Sequence, residues 1–204
     1  MTDPDSLPYV VGGDISLTAS GLAWPDRHTE TAGVAGLANP RTYVGERAGL
    51  LGALAARLDD VVHSRNTLSG GLPRLVVLED FPAGSTRIDP ERGYLWWRLI
   101  ERLTVHDVPV LPVPPNTLKQ YACGMGNANK REVIAGVRDF FPDWPIMKTS
   151  KTGKVLTTVD DNKADAVALC AIGCELLGEP LVELPAKHRK ALDKLELPPG
   201  VRRV

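Results

Sequence analysis

The chain has 204 residues, enough for one domain with a sizeable core, and its 43% hydrophobic and 24% charged content is that of an ordinary water-soluble fold. A formal net charge of −1 excludes a global basic field, so a polyanionic partner would have to be met by a local patch. Cys123, Cys170 and Cys174 show no paired spacing, which excludes a disulfide framework and points to a reducing cytoplasm.

Residues 1–8, MTDPDSLP, lack the basic and apolar regions of a signal peptide and read as a flexible N-terminus. No apolar run reaches the ~18 residues of a membrane span, so no membrane partner is expected. The run at 9–23, YVVGGDISLTASGLA, predicts a first strand with Asp14 partway along it. An unpaired carboxylate is costly to bury, so Asp14 must be paired, protonated or metal-bound, unless it faces water at an edge or a turn. A polar turn at 24–28 follows, then a second meander strand within 28–38, with a third folded into it or into 40–43. Residues 41–63 predict an amphipathic helix, with Leu50, Leu51, Leu54, Leu58, Val61 and Val62 recurring at three- and four-residue steps. Arg47, Arg57, Asp59 and Asp60 fall mostly on its other face.

RLVVLED, at 74–80, reads as a buried strand with Glu79 at its carboxyl end, where sites of α/β sheets lie. A strand-terminal acid in solvent is the bland alternative. Pro90 starts a helix running to about residue 106, in which only one of the adjacent Trp96 and Trp97 can point fully inward. In VPVLPVPP, Pro109 and Pro112 predict an edge strand or one that ends early. A short helix at 116–121, a glycine turn at Gly124-Met125-Gly126 and a helix at 128–141 follow. The lone GMG is too weak a signal for a nucleotide loop. Residues 142–159 read as a hairpin or loop carrying Lys148, Lys151 and Lys154. Residues 161–177 form the last firm helix, and 179–204 read as a basic C-terminal tail.

Three groups of acids stand out: Asp14, Glu79, and the Asp160-Asp161-Asn162-Lys163-Ala164-Asp165 stretch opening the last helix. Asp161 and Asp165, four apart, share a helical face. Favourable interaction with the helix dipole explains Asp160 and Asp161 blandly, whereas Asp165 lies among residues that should face a core. Carboxylates from distant segments suit hard divalent cations, and two such ions about 3.5–4 Å apart can clamp the attacking and leaving oxygens of a phosphoryl displacement.

Four stretches, at 12–21, 76–81, 118–133 and 164–173, give the chain from about residue 11 to 178 a pattern that resembles the RuvC-type Holliday junction resolvases, with the long 142–159 segment suggesting a phage-type branch. The resemblance is carried by GGDISLTASG, VVLEDF, LKQYACGMGNANKREV and ADAVALCAIG. It implies an α/β, RNase H-like fold over residues 9–178: a mixed central sheet, with an antiparallel meander followed by parallel strands, flanked by helices. It implies a Mg²⁺- or Mn²⁺-dependent endonuclease that resolves four-way junctions to 5′ phosphates and 3′ hydroxyls, with two ions per site. Asp14, Glu79 and Asp165 match the metal-binding acids, and Asp161, one residue off the family's register, is taken as the fourth. Lys119 and Lys130 match catalytic basic positions beside the scissile phosphate. Lys119, Lys130, Arg131, Lys148, Lys151 and Lys154 would meet DNA phosphates. A homodimer is implied, and a branch-migration helicase is a candidate partner, in the cytoplasm of a bacterial or phage-infected cell. The chain departs from the family where the partner of Asp165 three residues back is Asn162, which leaves the fourth ligand open between Asp160 and Asp161. Two alternatives remain: an RNase H-like nuclease acting on other branched or single-stranded DNA or RNA–DNA hybrids, and a non-catalytic junction-binding scaffold.

Overall fold

The computed structural model describes residues 9–34, 37, 43–64, 71–81, 89–150 and 152–202. Its centre is a five-stranded sheet of β1 (Val10–Asp14), β2 (Ser20–Trp24), β3 (His28–Ala32), β4 (Leu75–Glu79) and β5 (Val110–Val113), in the order β3-β2-β1-β4-β5. β1, β2 and β3 form the antiparallel meander, and β4 and β5 extend it in parallel from β1. β5 lies at the sheet's edge, where the exposed Pro112 forfeits no ladder bond on its outer side.

The expected first strand is in fact two. The chain reverses between Asp14 and Ser20, and Ser20 Oγ fastens the reversal by donating to Ser16 O (2.9 Å) and accepting from Ser16 N (3.1 Å). Asp14 therefore ends a strand instead of interrupting one. Any third strand at 40–42 lies outside the described residues.

Period-two alternation divides the sheet between two cores. Val11, Ile15, Leu22, Trp24, Val76 and Leu78 face helices α1 (Val44–Ser64) and α2 (Pro90–Val105). Of the tryptophan pair, Trp96 enters this core and Trp97 is 65% exposed. Val10, Leu75, Val77, Leu111 and Val113 face α3 (Pro115–Cys123), α4 (Lys130–Phe140) and α5 (Asp161–Leu176). The 142–159 segment is a hairpin of β6 (Met147–Thr149) and β7 (Val155–Val159). Residues set apart as a basic tail send Leu184, Ala191 and Leu192 into the second core, around the short helix α6 (Ala186–Arg189). Cys170 and Cys174 are buried free thiols in α5.

Helix α5 rests directly on the sheet because glycines clear its path. A Cβ at Gly12 of β1 would stand 2.2 Å from Ala166 O, and one at Gly21 of β2 would stand 2.2 Å from Asn162 O. Backbone cannot yield to such overlaps without moving the helix. Gly12→Ala is expected to cost at least about 3 kcal/mol in chemical denaturation. Gly49→Ala, at an open position of α1, should instead add roughly 0.5–1 kcal/mol.

Candidate metal and nucleic-acid site

The alternation that sends Val10 toward α5 sends Asp14 the same way, and Leu75 and Val77 set the same direction for Glu79. The parallel register pairs Gly13 with Leu78, so one step further Asp14 and Glu79 stand side by side at the carboxyl ends of adjacent strands. Helix α5 runs over them and presents Asp165 one turn after Asp161. Asp14 is 7% exposed, and Glu79 and Asp165 are partly buried.

The electrostatics show that these groups sense one another. Burial, followed by the Glu79 charge, pushes Asp14 up to about 7. Burial, then Asp14 and Glu79, pushes Asp165 up to about 8. Burial also raises Glu79, against opposition from Arg92 and Lys119. Asp14 and Glu79 are close enough for their carboxyl groups to interact, so each responds to the ionisation of the other.

Helices α3 and α4 supply the cations. Lys119 acts on Glu79 and Asp165, and Lys130 acts on Asp14 and Asp165. The helices are joined by a turn in which Gly124 takes φ +78°, a left-handed conformation suited to a residue without Cβ. Asn129 and Glu132 then close a capping box that starts α4 at Lys130. Lys130, largely exposed, forms an ion pair with Asp161.

The neighbouring acids have different employment. Asp160 is the N-cap of α5, accepting from Lys163 N at 3.4 Å and from Thr31 Oγ1 at 3.1 Å. Asn162 donates to Ala19 O, which ties the helix start to the β1–β2 reversal. Asp161 thus pairs with Lys130, while Asp160 and Asn162 hold the scaffold.

Sequence reasoning did not single out Arg92. Its guanidinium donates to Glu79 Oε2 (3.2 Å) and to Ile15 O (3.3 Å) and lies 5.4 Å from the Phe81 ring centroid. Trp96 Nε1 adds a hydrogen bond to Glu79 O at 3.1 Å. Neither contact has a local sequence signal, because thirteen residues separate Arg92 from Glu79.

The donor set is all oxygen, desolvated and short of countercharge, which fits hard divalent cations. Among the described residues, the group of three whose ligand atoms all lie within 4.8 Å of one another is instead Asp59, His63 and His106, across the sheet. The Asp14, Glu79 and Asp165 oxygens do not all lie within that distance of one another. The exposed Lys130 stem can swing away from Asp161.

Beyond the acids, a shallow groove of about 1400 Å³ crosses β3 to the β6–β7 hairpin, lined by Ser16, Thr31, Arg57, Lys148, Ser150 and Asp161 among others. Lys148 thus lies in the groove, Lys154 is exposed at the hairpin turn, and Arg131 is exposed on α4. Lys151 lies outside the described residues.

Solved structures similar to the chain include Thermus thermophilus RuvC, with TM-score 0.52 and 22% identity over 79% of this chain and 90% of that one. The T. thermophilus RuvC complex with Holliday junction substrate gives TM-score 0.52 and 20% identity over 80% and 90%. No protein-family model matches the sequence, and no curated protein is significantly similar to it. The likeness establishes the fold: the RNase H-like sheet and flanking helices of RuvC. No described helix is long and apolar enough to cross a membrane.

The raised acids predict the pH response of the metal-free fold. Asp14 and Asp165 ionise near 3.8 when unfolded but near 7 and 8 when folded, so between these values the folded state binds more protons. Stability should therefore fall as pH rises from about 4 to about 8, measured by denaturant titration. Excess Mg²⁺ should flatten that slope, and Asp14→Asn should raise metal-free stability at the alkaline end.

Proposed function

We propose that the chain is a divalent-metal-dependent endonuclease that hydrolyses phosphodiesters in branched DNA, with the four-way junction as its substrate. The observation that carries this proposal is the convergence of three desolvated carboxylates from β1, β4 and α5 beside Lys119 and Lys130. Buried acids that repel one another weaken a fold, so their gathering calls for a bound countercharge. The choice of substrate rests on the fold shared with RuvC, one of whose solved structures holds a Holliday junction substrate.

In this proposal Asp14, Glu79, Asp165 and Asp161 hold two Mg²⁺ or Mn²⁺ ions. Bound there, the ions would supply charge stabilisation to the attacking and leaving oxygens of an in-line displacement giving a 5′ phosphate and a 3′ hydroxyl. Arg92 opposes the burial that raises Glu79 and fixes its orientation from the far side of the strand end. Lys130 exchanges Asp161 for the DNA phosphate, and Lys119 meets the backbone from α3 as a second point charge. Arg131, Lys148 and Lys154, with Lys151, extend phosphate contacts along the groove, giving binding governed by shape and salt.

A four-way junction has two-fold symmetry, so two sites on a symmetric homodimer suit it. The outer face of α2 offers the exposed Tyr94 and Trp97 for such a contact. A branch-migration motor as partner belongs to the same proposal.

The test is nicking of a synthetic four-way junction, compared with flap, linear duplex and RNA–DNA hybrid substrates. Paired symmetric nicks that vanish with EDTA are expected. Asp14→Asn, Glu79→Gln and Asp165→Asn should each lower the rate by at least about 10²-fold. Junction binding without cleavage, unchanged in Asp14→Asn, would leave only a scaffold, and preference for another substrate would move the protein to a different nuclease class. Arg92→Leu should cost roughly 10–100-fold, as loss of a group that orients a metal ligand does. Replacing Lys148 and Lys154 by alanine should reduce the salt dependence of junction affinity by about one phosphate contact each.

A further inference from the structure

Across the sheet from the carboxylates, the carboxyl ends of α1 and α2 bring together Asp59, His63 and His106, with one ligand atom of each within 4.8 Å of the others. Asp59 and His63 stand one turn apart on α1, and His106 caps α2. Asp59 is 3% exposed, deep for a carboxylate. Its Oδ2 accepts from Arg102 Nε at 3.0 Å and pairs with Nη2 at 2.9 Å, which fixes the carboxylate in orientation. Its other oxygen, Oδ1, lies 3.2 Å from His63 Nδ1 yet is buried without a hydrogen-bond partner.

His63 Nδ1 is 2.8 Å from the Asp59 backbone oxygen, an acceptor only. That contact places the ring proton on Nδ1 and leaves Nε2 with a lone pair. Nε2 too is buried and has no hydrogen-bond partner. Two buried polar atoms in one cluster therefore have no hydrogen-bond partner, a condition that weakens a fold unless something fills it. The His106 ring lies against that of His63, edge to face, with centroids 4.8 Å apart.

We propose that Asp59, His63 and His106 form a second metal site, taking a borderline transition ion such as Zn²⁺ through two imidazoles and one carboxylate. Imidazole nitrogens favour such ions over Mg²⁺, so the two faces of the sheet are sorted by chemistry: oxygen donors on one, mixed nitrogen and oxygen donors on the other. The supporting contacts match what ligated side chains need, with Nδ1 of His63 directed to a backbone carbonyl and Asp59 held by a guanidinium. Tetrahedral ligands about 2.1 Å from zinc stand roughly 3.4 Å apart, so any of these atoms still near the 4.8 Å limit closes up on binding. His106, the exposed member, is the one free to move. The bound ion pins the ends of α1 and α2 to each other, on the helix pair whose other end supplies Arg92 and Trp96 to Glu79.

The test compares wild type with His106→Gln and His63→Gln after stripping with a chelator. Cobalt(II) should give the wild type the intense visible absorption of a low-coordinate, nitrogen-ligated ion, displaced by equimolar Zn²⁺. Both variants should lose that band, keeping only the weak absorption of oxygen-bound cobalt. Zn²⁺ at about 100 times its Kd should raise the wild-type melting temperature by roughly 5–10 °C more than that of His106→Gln, whose remaining shift reports the oxygen donors alone. Equal spectra and equal melting shifts in the wild type and both variants would overturn the proposal, leaving His63 and Asp59 as a simple ion pair. All carboxylates of the nuclease site are intact in these proteins, so absence of junction cleavage has no bearing on the result.

Discussion

The distance between α5 and the sheet governs the rest of the molecule. Ala166 and Cys170 lie against Gly12, and Asn162 lies against Gly21, so the helix backbone touches the strand backbone with no side chain between them. Asp165 rides on this helix between the two contacts. A methyl group under either point would lift it away from Asp14 and Glu79. Electrostatics push the other way, since three acids repel. Packing prevails because α5 buries a dozen residues, from Lys163 to Leu176, each apolar one contributing up to about 1.5–3 kcal/mol when large.

That imbalance gives the site its chemistry. The fold is strong enough to hold carboxylates where water does not neutralise them, and the remaining countercharge is incomplete and mostly mobile. Arg92 is the exception, braced by Ile15 O and Phe81 beneath Glu79. Lys130 is the opposite case, an exposed side chain resting on Asp161. One cation positions and the other can leave, which is the difference between a structural ion pair and an exchangeable one.

Much of this was legible in the chain. RLVVLED reads as the strand it is, Pro112 marks an edge, and the acids at 14, 79 and 165 stand out because each sits beside residues that belong in a core. The run at 9–23 was not legible as two strands, since its β-type spacing continues through the reversal and only the Ser16–Ser20 hydrogen bonds show where it folds. The basic residues after 179 obscured Leu184 and Leu192, whose burial depends on the surface of α3 and α5 beneath them. Arg92 and the Asp59, His63 and His106 group were invisible for one shared reason. Each looks like a solvated helix residue until α2 is packed on α1 and laid over the strand end.

The enclosure of α5 has a consequence for motion. With nearly every residue of its last three turns sealed between the sheet, α3 and α4, its amides can meet solvent only when the whole domain opens, and they should be among the slowest to exchange deuterium. Asp165 inherits that stillness. Any rearrangement around it must come from exposed side chains such as Lys130, which move about an anchor that stays put.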